Sequence, residues 1–283
     1  MSTYNHTNFP KVDSTLTNKL ISEISTATAS QEELKLALSL VDLTTLEGKD
    51  TEQRIKELCS KAIKTGTVAV CVYPTLVAVA KKELKNSIQK VASVAGGFPS
   101  GQLPLKLRLE EAKYAIEQGA DEIDMVISRG KFLEGNYNFI YDEVATFKEV
   151  CSAVKLKVIL ETGELETLNN IRIASDIALH AGADFIKTST GKISVNATLP
   201  TICVMLQAIN DFYITSGKKC GIKPSGGISD GNTAAHYLRL TETIVGKDWL
   251  TPSLFRFGAS RLVDNLVSEI NGDKQSNLNS SGY

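Results

Sequence analysis

A chain of 283 residues, 42% hydrophobic, 22% charged and 6% aromatic, has the balance of an ordinary globular protein, and its length admits two small domains or one α/β barrel. A formal net charge of -1 excludes the strongly basic balance of nucleic-acid and membrane-surface binders. No apolar run reaches transmembrane length and no basic, then apolar, leader opens the chain, so no membrane partner is expected and the cytoplasm is the expected compartment.

Residues 1–37 read as a polar and helical extension, with Ser30-Gln-Glu-Glu33 forming a capping-box pattern ahead of Leu34. From Leu38 onward, short apolar runs alternate with amphipathic stretches. Strands are expected over residues 38–41, 68–72, 90–95, 122–127, 156–160, 184–186, 220–222 and 255–257. Helices are expected near 51–64, from 74 onward, then near 107–118, 139–153, 167–180, 199–215, 230–240 and 262–270. Eight successive strand-helix units close most naturally into a (β/α)8 TIM barrel, here over residues 38–271, with a flexible tail over 272–283. A doubly wound sheet is the alternative, but it wants a Gly-x-Gly-x-x-Gly turn after its first strand, where this chain has Asp42-Leu-Thr-Thr-Leu46.

Five cysteines (Cys59, Cys71, Cys151, Cys203, Cys220) are widely spaced without a Cys-x-x-Cys pair, the usage of reduced thiols. His6, His180 and His236 stand singly, so no metal site is expected.

Polar residues collect where the strands end, which in a barrel is the face that carries the site. Asp42, Cys71, Asp124, Glu161, Lys187, Lys223 and Ser260 all fall at or near such ends. A lysine at the end of a core strand is either a cation that reaches out to solvent or a desolvated amine kept for covalent chemistry. Lys187 and Asp124 come from even-numbered strands and can share one layer of the barrel interior, and Lys223 lies on the strand beside Lys187. At roughly 6 Å and an effective dielectric near 20, two ammonium groups repel by about 3 kcal/mol, which lowers a lysine from ~10.4 towards about 8. A neutral amine attacks a carbonyl to give an imine, and Asp124 is then the nearest group to move a proton on the neighbouring carbon.

Two glycine loops, Ser225-Gly-Gly-Ile-Ser229 after the seventh strand and Gly258-Ala-Ser260 after the eighth, sit where barrels commonly hold phosphate, and Thr190-Gly191-Lys192 adds a hydroxyl, an amide and a cation. Each loop alone would also serve as a tight turn.

With these residues in place, the chain resembles the deoxyribose-phosphate aldolase family of class I aldolases. The resemblance is carried by Asp184-Phe-Ile-Lys-Thr-Ser-Thr-Gly-Lys192 with Gly221-Ile-Lys-Pro-Ser-Gly-Gly227, and by Leu40-Val-Asp-Leu-Thr-Thr-Leu46, Cys71-Val-Tyr-Pro74, Gly119-Ala-Asp-Glu-Ile-Asp124 and Arg256-Phe-Gly-Ala-Ser260. It implies reversible cleavage of 2-deoxyribose 5-phosphate to acetaldehyde and glyceraldehyde 3-phosphate, with no metal and no cofactor beyond a Schiff base. Lys187 would form that Schiff base, Lys223 would perturb its pKa, and Asp124 would take part in the proton relay. Thr190, Gly191, Lys192, Gly226, Gly227, Gly258 and Ser260 would hold the phosphate, with Asp42 and Cys71 lining the site. The C-terminal Tyr283 stands where members of this kind bring a tyrosine to the enamine proton. Arg261 departs from the serine or small residue that often follows Ser260 in relatives. Relatives are often homodimers, which leaves that assembly open here. Two other readings stand beside this one: a related Schiff-base aldolase on another sugar phosphate, and a phosphate-binding barrel without catalysis.

Overall fold

Asp13 accepts hydrogen bonds from the amides of Thr15 and Leu16 and starts helix α1 (Ser14–Ser22). The Ser/Thr-rich stretch that follows favours turns over helix, and Ser30 and Glu33 then form the expected capping box at the head of α2 (Gln31–Ser39). In this computed structural model, which describes residues 9–272, α2 runs on through Leu38. The first strand therefore begins at Val41, three residues later than expected. The two leading helices lie on the barrel's outer helices: Arg239 pairs with Glu33 and donates to the carbonyls of Ser25 and Ala27, and Gln207 reaches Thr17.

The chain then alternates β1 (Val41–Thr44), α3 (Glu52–Thr65), β2 (Ala69–Val72), α4 (Val77–Glu83), β3 (Lys90–Ala95), α5 (Leu105–Glu117) and β4 (Glu122–Val126). It continues with α6 (Arg129–Leu133), α7 (Tyr137–Val150), β5 (Lys155–Ile159), α8 (Leu168–His180), β6 (Phe185–Lys187), α9 (Leu199–Ser216), β7 (Gly221–Lys223), α10 (Gly231–Val245), β8 (Phe257–Ala259) and α11 (Arg261–Asn271). Each strand pairs in parallel with its neighbour, and β1 pairs with β8. Parallel bridges Ile222 to Phe255 and Ser225 to Gly258 join the β7 and β8 edges, so the eight strands close into a (β/α)8 barrel forming a single domain. β3 has the expected bounds. β8 starts two residues later than expected, because Phe255 faces β7 while the ladder to β1 begins at Phe257. The short helix α6 was not expected from the sequence.

Apolar residues of the strands and helices form a large buried shell that includes Leu43, Val70, Val91, Ile123, Val158 and Ile186. The barrel interior is filled differently. The strand register and the stagger of an eight-stranded barrel place its inward residues in layers of four. The lowest layer is Ala69, Glu122, Phe185 and Arg256; above it lie Asp42, Ala92, Lys157 and Lys223, and then Cys71, Asp124, Lys187 and Gly258. Barrel interiors are usually built from Val, Ile and Leu, whereas seven of these twelve positions carry charge. So many buried charges do not serve stability, and they mark this end of the barrel as the place to look for chemistry.

All five cysteines are buried and free. Among the described residues no helix is long and apolar enough to cross a membrane.

Candidate active site

Lys187 is the last residue of β6, 3% exposed, and its Nζ donates to Asp124 Oδ2 at 2.8 Å. Lys223, the last residue of β7 and in register with Lys187, donates to the same oxygen at 2.8 Å and to Asp42 Oδ2. The two lysines thus meet through a shared carboxylate oxygen rather than as a bare repulsive pair. From the other side, Lys157 donates to Asp124 Oδ1 at 2.8 Å and pairs with Glu122 at 2.5 Å and Asp42 at 3.7 Å. Arg256 closes the network below, bonding Asp42 Oδ1 at 2.6 Å and Glu122 Oε1 at 2.8 Å.

This environment sorts the lysines. Burial disfavours the charged form of each, and for Lys223 and Lys157 the adjoining carboxylates outweigh it and hold the pKa above the usual lysine value. For Lys187 burial wins: Asp124 opposes it, Lys223 reinforces it, and the pKa falls below the usual value. Asp124 stays an anion, because Lys157, Lys187 and Lys223 overcome its burial and hold its pKa well below the carboxylate range. Asp42 behaves likewise under Lys223 and Arg256. Burial and Asp124 push the Cys71 thiol upward, so it faces the same layer as a neutral group. The arrangement sets a lysine that gives up its proton more readily than usual beside an anionic carboxylate and a lysine held protonated.

The loops above this network are tied to one another. Ser225 Oγ donates to the Ser189 carbonyl, and Thr188 and Ser189 both donate to the Ser225 carbonyl. Gly226 has φ 77°, and a Cβ there would come within 2.3 Å of Asn196 Oδ1, so this loop passes too close to the next for any side chain. Gly258 is equally constrained, since a Cβ would meet Ser225 Cβ at 2.6 Å and Lys223 Cε at 3.1 Å. Gly227 and Ser260 are exposed, and Ser260 stands at the N-terminus of α11 without capping it by its side chain. Gly191 is exposed as well.

Thr190 and Lys192 have other partners. The Thr190 amide donates to Glu161 Oε1 at 3.1 Å and its hydroxyl to Glu161 Oε2. Lys192 Nζ donates to Glu47 at 2.8 Å. Glu161 is fully buried, holds a left-handed backbone at φ 56°, and pairs with Arg129, which also donates to the carbonyls of Pro99 and Ser100. Burial lifts the Glu161 carboxyl above its usual range against the pull of Thr190 and Arg129. Tyr283 lies outside the described residues.

A profile described as DeoC/LacD family aldolase matches residues 36–240. The chain belongs to the DeoC/LacD aldolase family. Deoxyribose-phosphate aldolase of Homo sapiens is 48% identical over 252 residues, covering 83% of this chain and 79% of that protein. The same-named protein of Agrobacterium fabrum is 46% identical over 257 residues, covering 89% of this chain and 97% of the other. Among solved structures, the tetrameric deoxyribose phosphate aldolase of Aeropyrum pernix superposes with a TM-score of 0.67 at 27% identity, covering 91% of this chain and 98% of that one. In this DeoC/LacD barrel the expected trio Lys187, Asp124 and Lys223 comes together with Asp42. Sequence reasoning passed over Lys157, Glu122 and Arg256, which complete the network. The signal was charge inside otherwise apolar strand segments, where a core strand needs a buried partner to hold it.

Proposed function

We propose that this chain catalyses the reversible aldol cleavage of 2-deoxy-D-ribose 5-phosphate to acetaldehyde and D-glyceraldehyde 3-phosphate through a Schiff base on Lys187. The observation that carries this reading is that Lys187, alone of the three lysines in the buried network, has a single carboxylate partner, Asp124 at 2.8 Å, in line with the lowering of its pKa by burial. The Lys187 amine adds to C1 of the open-chain sugar and the carbinolamine loses water to an iminium ion. The C3 hydroxyl gives up its proton, the C2–C3 bond breaks, and its electron pair moves into the iminium to leave an enamine and glyceraldehyde 3-phosphate. Protonation of the enamine carbon and hydrolysis then release acetaldehyde and restore the amine. Asp124, between Lys187 and Lys223, is the group placed to pass these protons, and Lys223 keeps it anionic when it is not carrying one. The iminium is itself the electron sink, so the chemistry calls for neither metal nor cofactor.

The phosphate belongs, in this reading, over the glycine loops, with Gly226, Gly227, Gly258 and Ser260 on one side and Gly191 and Lys192 on the other. Lys192 now pairs with a half-exposed Glu47, an interaction that a dianion can displace. Thr190 enters as the residue that fixes its loop, its hydroxyl and amide being held by Glu161. Tyr283 is assigned to the enamine proton by resemblance. The compartment we assign is the cytoplasm, where the five buried, unpaired cysteines stay reduced. A homodimer is the assembly expected from resemblance, while the Aeropyrum pernix relative is described as a tetramer.

The test is acetaldehyde release from 2-deoxyribose 5-phosphate and from unphosphorylated 2-deoxyribose. Rapid release is expected from the phosphate ester, at least ~100-fold slower release from the free sugar as phosphate contacts are lost, and none in Lys187→Met. Release from neither sugar, with cleavage of a ketose phosphate instead, would give the chain to the related Schiff-base aldolases.

A further inference from the structure

The buried network joins four cationic side chains, Lys157, Lys187, Lys223 and Arg256, to three carboxylates, Asp42, Glu122 and Asp124. Every one of these seven residues is almost wholly excluded from solvent. A net charge buried at the centre of a barrel is costly, and the network is balanced only if one cation gives up its proton. Arg256 does not deprotonate. Among the lysines, Lys157 lies within ion-pair distance of three carboxylates and Lys223 of two, whereas Lys187 has only Asp124. The proton is therefore lost most easily from Lys187.

We propose that Lys157, Glu122 and Arg256, which do not reach the substrate, are positioning residues whose summed charge beneath the pocket keeps Lys187 a free amine. The inference rests on the Schiff-base reading and extends it: Lys223 is one part of a larger charge count. The lowered pKa of Lys187 beside the raised values of Lys157 and Lys223 agrees with it. The count takes in the charged and titratable groups that face Lys187 from the strands: Asp42 on β1, Glu122 and Asp124 on β4, Lys157 on β5, Lys223 on β7 and Arg256 beside β8. Cys71 on β2 is held neutral by burial, and β3 contributes Ala92 and Val94.

The charge count makes a prediction of opposite signs. Lys157→Met removes a positive charge, stabilises the Lys187 ammonium and raises its pKa. Glu122→Gln removes a negative charge and lowers it. The measurement is the rate at which acetaldehyde and borohydride label Lys187 as a function of pH, followed by peptide mapping in the full chain. Relative to the parent, the rising limb should move to higher pH by about one to two units in Lys157→Met and to lower pH by about the same in Glu122→Gln, as expected for a unit charge roughly 6–8 Å away at an effective dielectric near 20. The double variant Lys157→Met with Glu122→Gln should return the limb to the parent's position. Simple loss of packing would move both single variants the same way, or slow labelling without moving the limb, and either result overturns the proposal. If Lys157→Met does not fold, Glu122→Gln decides alone, since an unmoved or upward-shifted limb overturns the proposal and a downward shift supports it. Labelling of Lys187 in the parent with unmoved limbs in the variants sinks this inference only, whereas no labelling of the parent sinks the Schiff-base reading as well.

Discussion

At Lys187 the barrel buries a charge-bearing side chain whose single carboxylate partner is shared with two other lysines. Such a group is held for reactivity at some expense of stability. Lys187→Met leaves Asp124 paired with Lys157 and Lys223 and fills the same space without an amine, so it should abolish imine formation and raise the unfolding free energy by about 1–2 kcal/mol at neutral pH. The sign follows from linkage. The folded pKa of Lys187 lies below its unfolded value near ~10.4, so the unfolded state binds more protons between the two and the parent gains stability as pH rises through that window. The advantage of Lys187→Met should accordingly be largest at neutral pH and shrink as pH approaches ~10.4. Urea unfolding of both proteins at several pH values measures it, and a less stable variant would show that Lys187 contributes to the fold. Lys187 and Lys223 were legible in the sequence because each closes a strand ahead of small polar residues, and Asp124 because its even-numbered strand shares a layer with that of Lys187. Lys157, Glu122 and Arg256 were not, because charges such as Lys155 with Lys157 and Asp121 with Glu122 look like solvated strand ends until the register turns one of each pair inward.

At the scale of elements, Arg129 and Glu161 act as a strut across the loops that follow β3, β4, β5 and β6. Arg129, at the start of α6, holds the Pro99 and Ser100 carbonyls and the Glu161 carboxylate, and Glu161 holds Thr190 through both of its oxygens. Glu161 does so from a left-handed backbone that a bulky residue adopts only when its surroundings compel it. Glu161→Gln keeps the volume but loses the ion pair and one acceptor, so the Thr190 to Lys192 loop should lose its fixed position. A charge-assisted hydrogen bond of about 1.5 kcal/mol corresponds to roughly a tenfold rise in KM for the phosphorylated sugar, with a much smaller fall in kcat. Steady-state kinetics decide it, and a fall in kcat at unchanged KM would place Glu161 in the chemistry instead. Neither α6 nor the strut was legible, because partners 29 to 32 residues apart leave no local pattern. Element edges failed for local reasons. Leu38 carries both helical and strand periodicity, and the capping box at Ser30 resolves it in favour of α2.

Across the whole molecule, the barrel separates what holds it together from what it does. The shell between strands and helices is apolar and was readable as eight alternating units. The interior, where aliphatic layers are usual, carries instead a charged column that rises from Arg256 and Glu122 to Lys187 at the loop face. That column depends on register between strands distant in sequence, which is why its upper members could be placed together and its lower ones could not. The proposed Schiff base requires that this column leave Lys187 a neutral amine. Borohydride trapping in the presence of acetaldehyde, followed by peptide mass mapping, tests it most directly. A single ethyl group on Lys187 is expected, whereas an ethyl group on Lys223, or none on either lysine in the folded protein, would rule out Lys187 as the imine-forming amine.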